Sequence, residues 1–204
     1  MKASVPTIIF DLGGVLIRHD NESLYDRLAA CCADPAAARR GIIDALADEA
    51  LGTGSLSVDQ LHARLVADHG FARAYPHFLD LWSSHFSDSP GMAPLLCALA
   101  RRYRVVIFSN TNAAHIDHIR ANYRVLEHAH AAYMSYELGL VKPYAEAFRK
   151  VLELEGRRPD ECIFIDDRPE NTAAAAALGI RTVTFTDPAA LKAAIAEYGV
   201  AVDA

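Results

Sequence analysis

The sequence predicts an α/β fold: a mainly parallel sheet with helices on both faces, interrupted after its first strand by a small all-helical insertion. Three observations carry this. Short apolar runs, Thr7-Ile8-Ile9-Phe10, Val105-Val106-Ile107-Phe108 and Cys162-Ile163-Phe164-Ile165, are bounded by polar or turn residues, as strands buried on both faces are. Helical stretches separate the later strands, which requires crossovers and therefore parallel pairing. Residues 18–90 show no comparable strand pattern and read as helical throughout.

Each element has a local reason. The first strand runs over 7–10. Helices are expected over 22–32 and 35–51, and Gly52-Thr53-Gly54 breaks the pattern. Ser57 and Gln60 have capping-box spacing for a helix ending near Gly70. Residues 75–86 read as a further helix with an apolar face that includes Trp82 and Phe86, and 87–91 as a linker. The alternation is then regular: helix 93–103, strand 105–109, helix 112–122, strand 131–135 and helix 143–155, with Pro143 in its first turn. Strand 162–166 and helix 169–178 follow, the helix closed by Gly179. Strand 181–185 leads to a last helix opened by the Asp187-Pro188 cap and reaching about 198. The result is a Rossmann-like core of residues 1–17 and 91–204, with residues 18–90 as a helical cap domain.

Composition bounds the function. The chain has 204 residues, 52% of them apolar, and a net charge of −6. Its apolar runs are strand-sized and too short to cross a membrane. No basic cluster offers a footprint for nucleic acid or acidic lipid. The start of the chain reads as a strand, not a leader, so a cytoplasmic location is expected. Cys31, Cys32, Cys97 and Cys162 form no Cys-x-x-Cys pair and read as small hydrophobes in a reducing compartment. Monomer and homodimer both stay open.

In open α/β sheets, ligands bind beyond the carboxyl ends of the strands. That rule gathers Asp11, Ser109, Asn110, Asp166 and Asp167 at one site, although they lie far apart in the chain. Asp11 is followed by a glycine pair that lets a ligand approach the backbone. Ser109 and Asn110 offer a hydroxyl, an amide and backbone N–H groups for phosphoryl oxygens. Lys142, before Pro143, can place a point charge there. Two adjacent carboxylates at a buried strand end require nearby positive charge. Mg²⁺, a hard cation with oxygen ligands, meets that need.

Four segments together resemble the haloacid dehalogenase superfamily of hydrolases. They are Ile8-Ile9-Phe10-Asp11-Leu12-Gly13-Gly14-Val15-Leu16, Phe108-Ser109-Asn110, Gly139-Leu140-Val141-Lys142-Pro143 and Phe164-Ile165-Asp166-Asp167-Arg168-Pro169-Glu170-Asn171. They occur in the family's order, and the insertion sits where many members carry a cap. The resemblance implies that Asp11 is a nucleophile forming an aspartyl-phosphate. It further implies that Lys142 offsets charge and that Ser109, Asn110 and Lys142 bind the phosphoryl group. The implied Mg²⁺ set is Asp11, the Gly13 carbonyl and Asp167, with Asp166 either ligating directly or standing behind the ligands. Asn171 is expected to tie this loop down, and Arg168 to sit at the surface.

One position departs from the family. Many of its phosphatases carry a second Asp two residues after the nucleophile as general acid and base; here that residue is Gly13. Proton transfer of this kind contributes roughly two to four orders of magnitude. A substrate with a good leaving group would suffer least, or His19 or Asp20 would reach back. His115 and His118, and His128 and His130, read as surface or hydrogen-bonded histidines, not as a zinc site, and Trp82 as part of the cap core. The expected function is a Mg²⁺-dependent phosphatase acting on a small phosphorylated metabolite, with sugar phosphates in view. The alternatives are a metal-independent dehalogenase using the same Asp11, and a non-catalytic binding protein on the same fold.

Overall fold

The computed structural model describes residues 5–47 and 49–202. In chain order its elements are β1 (Thr7–Phe10), β2 (Ile17–His19), α1 (Asn21–Ala29), α2 (Pro35–Ala47), α3 (Glu49–Gly52), α4 (Val58–His69), α5 (Tyr75–Trp82), β3 (Phe86–Asp88) and α6 (Met92–Ala100). There follow β4 (Arg104–Ser109), α7 (Ala113–Asn122), β5 (Ala131–Met134), α8 (Ser135–Leu138), α9 (Ala145–Glu155), β6 (Cys162–Asp166), α10 (Pro169–Ala177), β7 (Arg181–Thr184) and α11 (Pro188–Glu197).

Five strands form a parallel sheet in the order β5-β4-β1-β6-β7. The first strand is therefore central, with β4 on one side and β6 on the other. Alternate residues feed two cores. Ile8, Phe10, Ile107, Ile163 and Ile165 pack with Met92, Leu95, Leu96 and Leu99 of α6 and with Leu191 and Ile195 of α11. Ile9, Val106, Phe108 and Phe164 face the other way, onto Phe148, Val151 and Leu152 of α9. Both faces are buried, which is why these strands are apolar without interruption.

The helical insertion has a hydrophobic cluster of its own, which includes Leu28, Ile42, Leu61, Phe78 and Trp82. Its boundaries follow local chemistry. Asp20 accepts the Ser23 N–H to cap α1, and Gly70 closes α4 at φ 61°. Gln60 accepts the Ser57 N–H at 3.0 Å, one half of the capping box. In the sheet domain, Asp187 caps α11 through the N–H groups of Ala189 and Ala190.

Three expectations are corrected. The insertion is not purely helical at its ends: β2 and β3 pair antiparallel, with Ile17 opposite Asp88 and His19 opposite Phe86. The helix expected over 75–86 stops at Trp82, and part of the expected linker is strand. Three-residue strands are too short to show a period of two, so the sequence pattern hides them. The helix expected from Pro143 begins at Ala145, with Tyr144 as its extended N-cap. The helix expected over 35–51 is described as α2 and α3, and residue 48 lies outside the described residues, as do 1–4 and 203–204 of the expected core. No helix among the described residues is long and apolar enough to cross a membrane.

Candidate active site

Strand register brings the acids together. Phe10 is level with Ile165 across β1 and β6, so the next residues, Asp11 and Asp166, leave the sheet side by side. The Asp11 N–H donates to the Ile165 carbonyl at 2.8 Å, which fixes that exit. On the other flank Phe10 is level with Ile107, and β4 runs on to Ser109, which is 3% exposed.

Lys142 arrives from the loop before α9. Its Nζ lies 2.9 Å from Asp11 Oδ1 and 2.7 Å from Asp166 Oδ2. The lysine is held at its backbone by Asn110, whose side-chain amide donates to the Lys142 carbonyl at 2.7 Å and whose Oδ1 accepts the Lys142 N–H at 2.9 Å. The ammonium also sits 5.3 Å from the ring centres of both Phe108 and Phe164, within cation–π range. Asn110 is thus a support for Lys142 as well as a cavity-lining residue.

Asp166 is fully buried and completely partnered. Asn171 Nδ2 donates to both its oxygens at 3.0 Å, the Arg168 N–H donates to Oδ1 at 2.9 Å, and Lys142 takes Oδ2. Asn171 does tie the loop down, and the Arg168 guanidinium turns outward to Glu170. Asp167 is less enclosed. One oxygen from each of Asp11, Asp166 and Asp167 lies within 4.8 Å of the others, the one such cluster of possible metal ligands among the described residues. Asp167 packs over Gly14, leaving no room for a β-carbon there, and Gly14 has φ 76°. This glycine is required on both counts.

The charges are not balanced. Burial pushes the Asp11 carboxyl up to about 7; Lys142 opposes this and Asp166 adds to it. Burial and Asp166 also raise Asp167. Carboxylates so placed favour either a proton or a cation. Two contacts of Asp11, from Lys142 Nζ and from the Leu12 N–H at 2.7 Å, fall on Oδ1.

A cavity of about 680 Å³ opens above these groups, and Asp11, Gly13, Ser109, Asn110, Lys142 and Asp167 all line it. Its far wall belongs to the insertion: Leu24, Tyr25, Ile43, Leu46 and Leu51. The turn at Gly52-Thr53-Gly54 docks onto the sheet domain. Ser135 Oγ donates to the Gly52 carbonyl at 2.5 Å and accepts the Thr111 N–H at 2.9 Å. A β-carbon on Gly54 would stand 2.7 Å from the Tyr136 carbonyl.

Of the two residues considered as stand-ins at Gly13, only one is in place. His19 lines the cavity, and a β-carbon on Gly13 would lie 3.1 Å from its Cδ2 and 3.4 Å from its Nε2. Asp20 lies at the start of α1 as its cap. Sequence reasoning misses His85 and the setting of His115. His115 lies between insertion and sheet. It donates from Nε2 to the Trp82 carbonyl at 3.2 Å, and Nδ1 accepts from Asn112 Nδ2 at 3.1 Å. Burial, with His85 adding, holds its pKa well below the ordinary histidine value. Nothing in a lone histidine before a three-residue strand marks it in sequence.

These features define a carboxylate-and-lysine hydrolase site at the carboxyl edge of a parallel sheet. The haloacid dehalogenase-like hydrolase family model matches residues 5–179, and the chain belongs to that family. The chain is 25% identical over 191 residues to D-ribitol-5-phosphate phosphatase of Bacteroides thetaiotaomicron, covering 87% of this chain and 90% of the relative. A wild-type HAD family enzyme of the same organism, solved with magnesium and inorganic phosphate, superposes with a TM-score of 0.79 at 26% identity over 91% of this chain and 96% of that one. A HAD-like hydrolase of Porphyromonas gingivalis gives 0.81 at 26% identity over 96% and 98%.

Proposed function

We propose that this hydrolase is a Mg²⁺-dependent phosphatase that releases phosphate from a small phosphorylated metabolite, of the size and kind of a sugar or polyol phosphate. The observation that carries the reading is the Lys142 ammonium set between Asp11 and Asp166 in a cavity also lined by Ser109 and Asn110. The phosphatase relative and the magnesium–phosphate complex of the structural neighbour support it.

Asp11 attacks phosphorus with its carboxylate, and the ester P–O bond breaks as the new P–O bond forms. Lys142 meets the negative charge that gathers on the phosphoryl oxygens, and Ser109 and the Asn110 backbone hold that group in line. Water then attacks the aspartyl-phosphate, releasing inorganic phosphate and restoring Asp11. The donor set is all oxygen and short of positive charge, which fits a hard divalent cation. Asp11, Asp167 and the Gly13 carbonyl would hold it, while Asp166, already bonded to Lys142, Asn171 and the Arg168 N–H, positions the lysine. A bound Mg²⁺ supplies charge neutralisation of the phosphoryl oxygens. His19, beside Gly13 on the cavity wall, would protonate the departing alkoxide.

The adjacent Asp166 and Asp167 speak against metal-independent dehalogenation, which does not need a paired carboxylate there. The test is phosphate release from a panel of sugar, polyol and acyl phosphates with Mg²⁺ and with EDTA. Chelator-sensitive release is expected. No release from any ester by a folded, Mg²⁺-binding protein favours a binding protein, and halide release in EDTA favours the dehalogenase.

A further inference from the structure

The cavity over Asp11 has walls of unlike charge. On the sheet side the cations are already engaged. Lys142 stands between Asp11 and Asp166, and Arg168, which also lines the cavity, has its guanidinium bonded to Glu170. The insertion's wall carries no lysine or arginine among the described residues. This is not for want of arginines. The insertion has Arg18, Arg27, Arg39, Arg40, Arg64 and Arg73, and none of them lines the cavity. Arg39, for one, is paired with Glu22 and Asp26.

What the insertion offers is apolar surface with one acid on it. Leu24, Tyr25, Ile43, Leu46 and Leu51 supply the surface, and Glu49 is the acid. Glu49 is exposed and is held from the sheet domain: Tyr144, two residues after Lys142, donates its hydroxyl to Glu49 Oε1 at 2.5 Å. That partner is neutral, so the negative charge of Glu49 stands. His85 and His115, which also line the cavity, add no charge at pH 7, because burial keeps both well below the ordinary histidine value. His19 adjoins Gly13, two residues from the nucleophile.

We propose that this cavity selects phosphate monoesters whose organic part carries no second negative charge, and that Glu49 is the residue that turns away phosphorylated acids and bisphosphates. The proposal rests on the phosphatase reading and narrows it. A carboxylate or second phosphate that leaves water for the insertion's wall finds no cation there to replace its hydration, and a charge buried without a partner is strongly disfavoured. It also meets the like charge of Glu49, and like-charge juxtaposition is a means by which a site rejects a wrong partner. A hydroxyl in the same place carries neither penalty, and it can donate to a carboxylate oxygen.

The experiment sets ribitol 5-phosphate against 5-phosphoribonate, which has a carboxylate where the polyol has its terminal hydroxymethyl group and is otherwise the same. Each is assayed with the Mg²⁺-loaded wild type, Glu49→Gln and Glu49→Lys, both as a substrate and as a competitor of 4-nitrophenyl phosphate hydrolysis. The wild type should favour the polyol by about 10- to 100-fold in kcat/KM, or in inhibition constant where turnover is absent. Glu49→Gln, which keeps an oxygen for the Tyr144 hydroxyl, should cut that ratio about three- to tenfold, and Glu49→Lys should erase or reverse it. The wild-type ratio should also shrink as NaCl rises from about 0.02 to 0.5 M, because an exposed carboxylate is screened, and the Glu49→Gln ratio should respond less. A wild-type ratio near one, a preference for the acid, a ratio that both substitutions leave unchanged, or failure of the polyol to act as either substrate or competitor would overturn the proposal. If the wild type hydrolyses none of the three esters, the phosphatase reading itself falls. If it hydrolyses 4-nitrophenyl phosphate without preferring the polyol to the acid, only the selection by charge falls.

Discussion

Lys142 Nζ and Asp166 Oδ2 stand 2.7 Å apart, with side chains 1% and 0% exposed. A pair this buried is costly to break, because the surviving charge has no water to turn to. Here the survivor would face a second acid, Asp11, on its other side. Lys142→Met is therefore expected to lose about 3–5 kcal/mol of stability in EDTA, measured by urea unfolding. It should also lose at least about a hundredfold in kcat, the scale of removing a charge-stabilising donor. Asp166→Asn in the same chain should recover much of the stability and none of the rate. Equal stability of Lys142→Met and wild type would remove the lysine from its bridging role.

Asp11→Asn should abolish turnover and keep the fold. It should also change how stability responds to pH. The folded carboxyl titrates at about 7 against the ordinary aspartate value of 3.8. Between those values the folded state binds more protons than the unfolded state, so this group's contribution is full at low pH and is lost as pH rises toward 7. The slope is at most about 1.4 kcal/mol per pH unit. In EDTA the variant should lack that slope, read from thermal midpoints between about pH 4.5 and 7.5.

The histidines between insertion and sheet pull the other way. His115 and His85 are held below their ordinary value of 6.5. The unfolded chain takes up their protons first, so their contribution is present above 6.5 and is lost as pH falls toward about 4. In the Asp11→Asn background, where the opposing slope of Asp11 is gone, thermal midpoints should drop between about pH 7 and 5. His115→Gln should remove part of that drop. A flat profile before the second substitution would show that these rings titrate normally.

His19 is expected to matter most where the leaving group is poor. His19→Asn should slow hydrolysis of polyol phosphates by about two orders of magnitude. It should slow 4-nitrophenyl phosphate, which leaves without a proton, by far less. Equal slowing of both would assign the proton to another group.

The sheet was legible because its strands are buried on both faces, and an uninterrupted run such as Ile163-Phe164-Ile165, too short for a buried helix, suits a strand between two helical layers. The gathering of Asp11, Ser109, Asn110, Asp166 and Asp167 was legible for a related reason: parallel strands deliver their carboxyl ends to one edge. The division of labour among them was not. That Asn110 grips the Lys142 backbone depends on a contact between residues far apart in the chain. So does the placing of His19 on the cavity wall while Asp20 caps α1. His85 escapes a reading of sequence because its burial beside His115 and Phe86 is a property of its surroundings that composition and spacing do not encode.

The pairing of Ile17–His19 with Phe86–Asp88 means that the helical segment departs from the sheet and rejoins it at one place. Detours whose two ends already meet can be swapped, lengthened or trimmed at little entropic penalty to the scaffold beneath. Selection thus has a replaceable module above a fixed chemical floor, and a new recognition surface can be tried without moving a single acid at the sheet's rim.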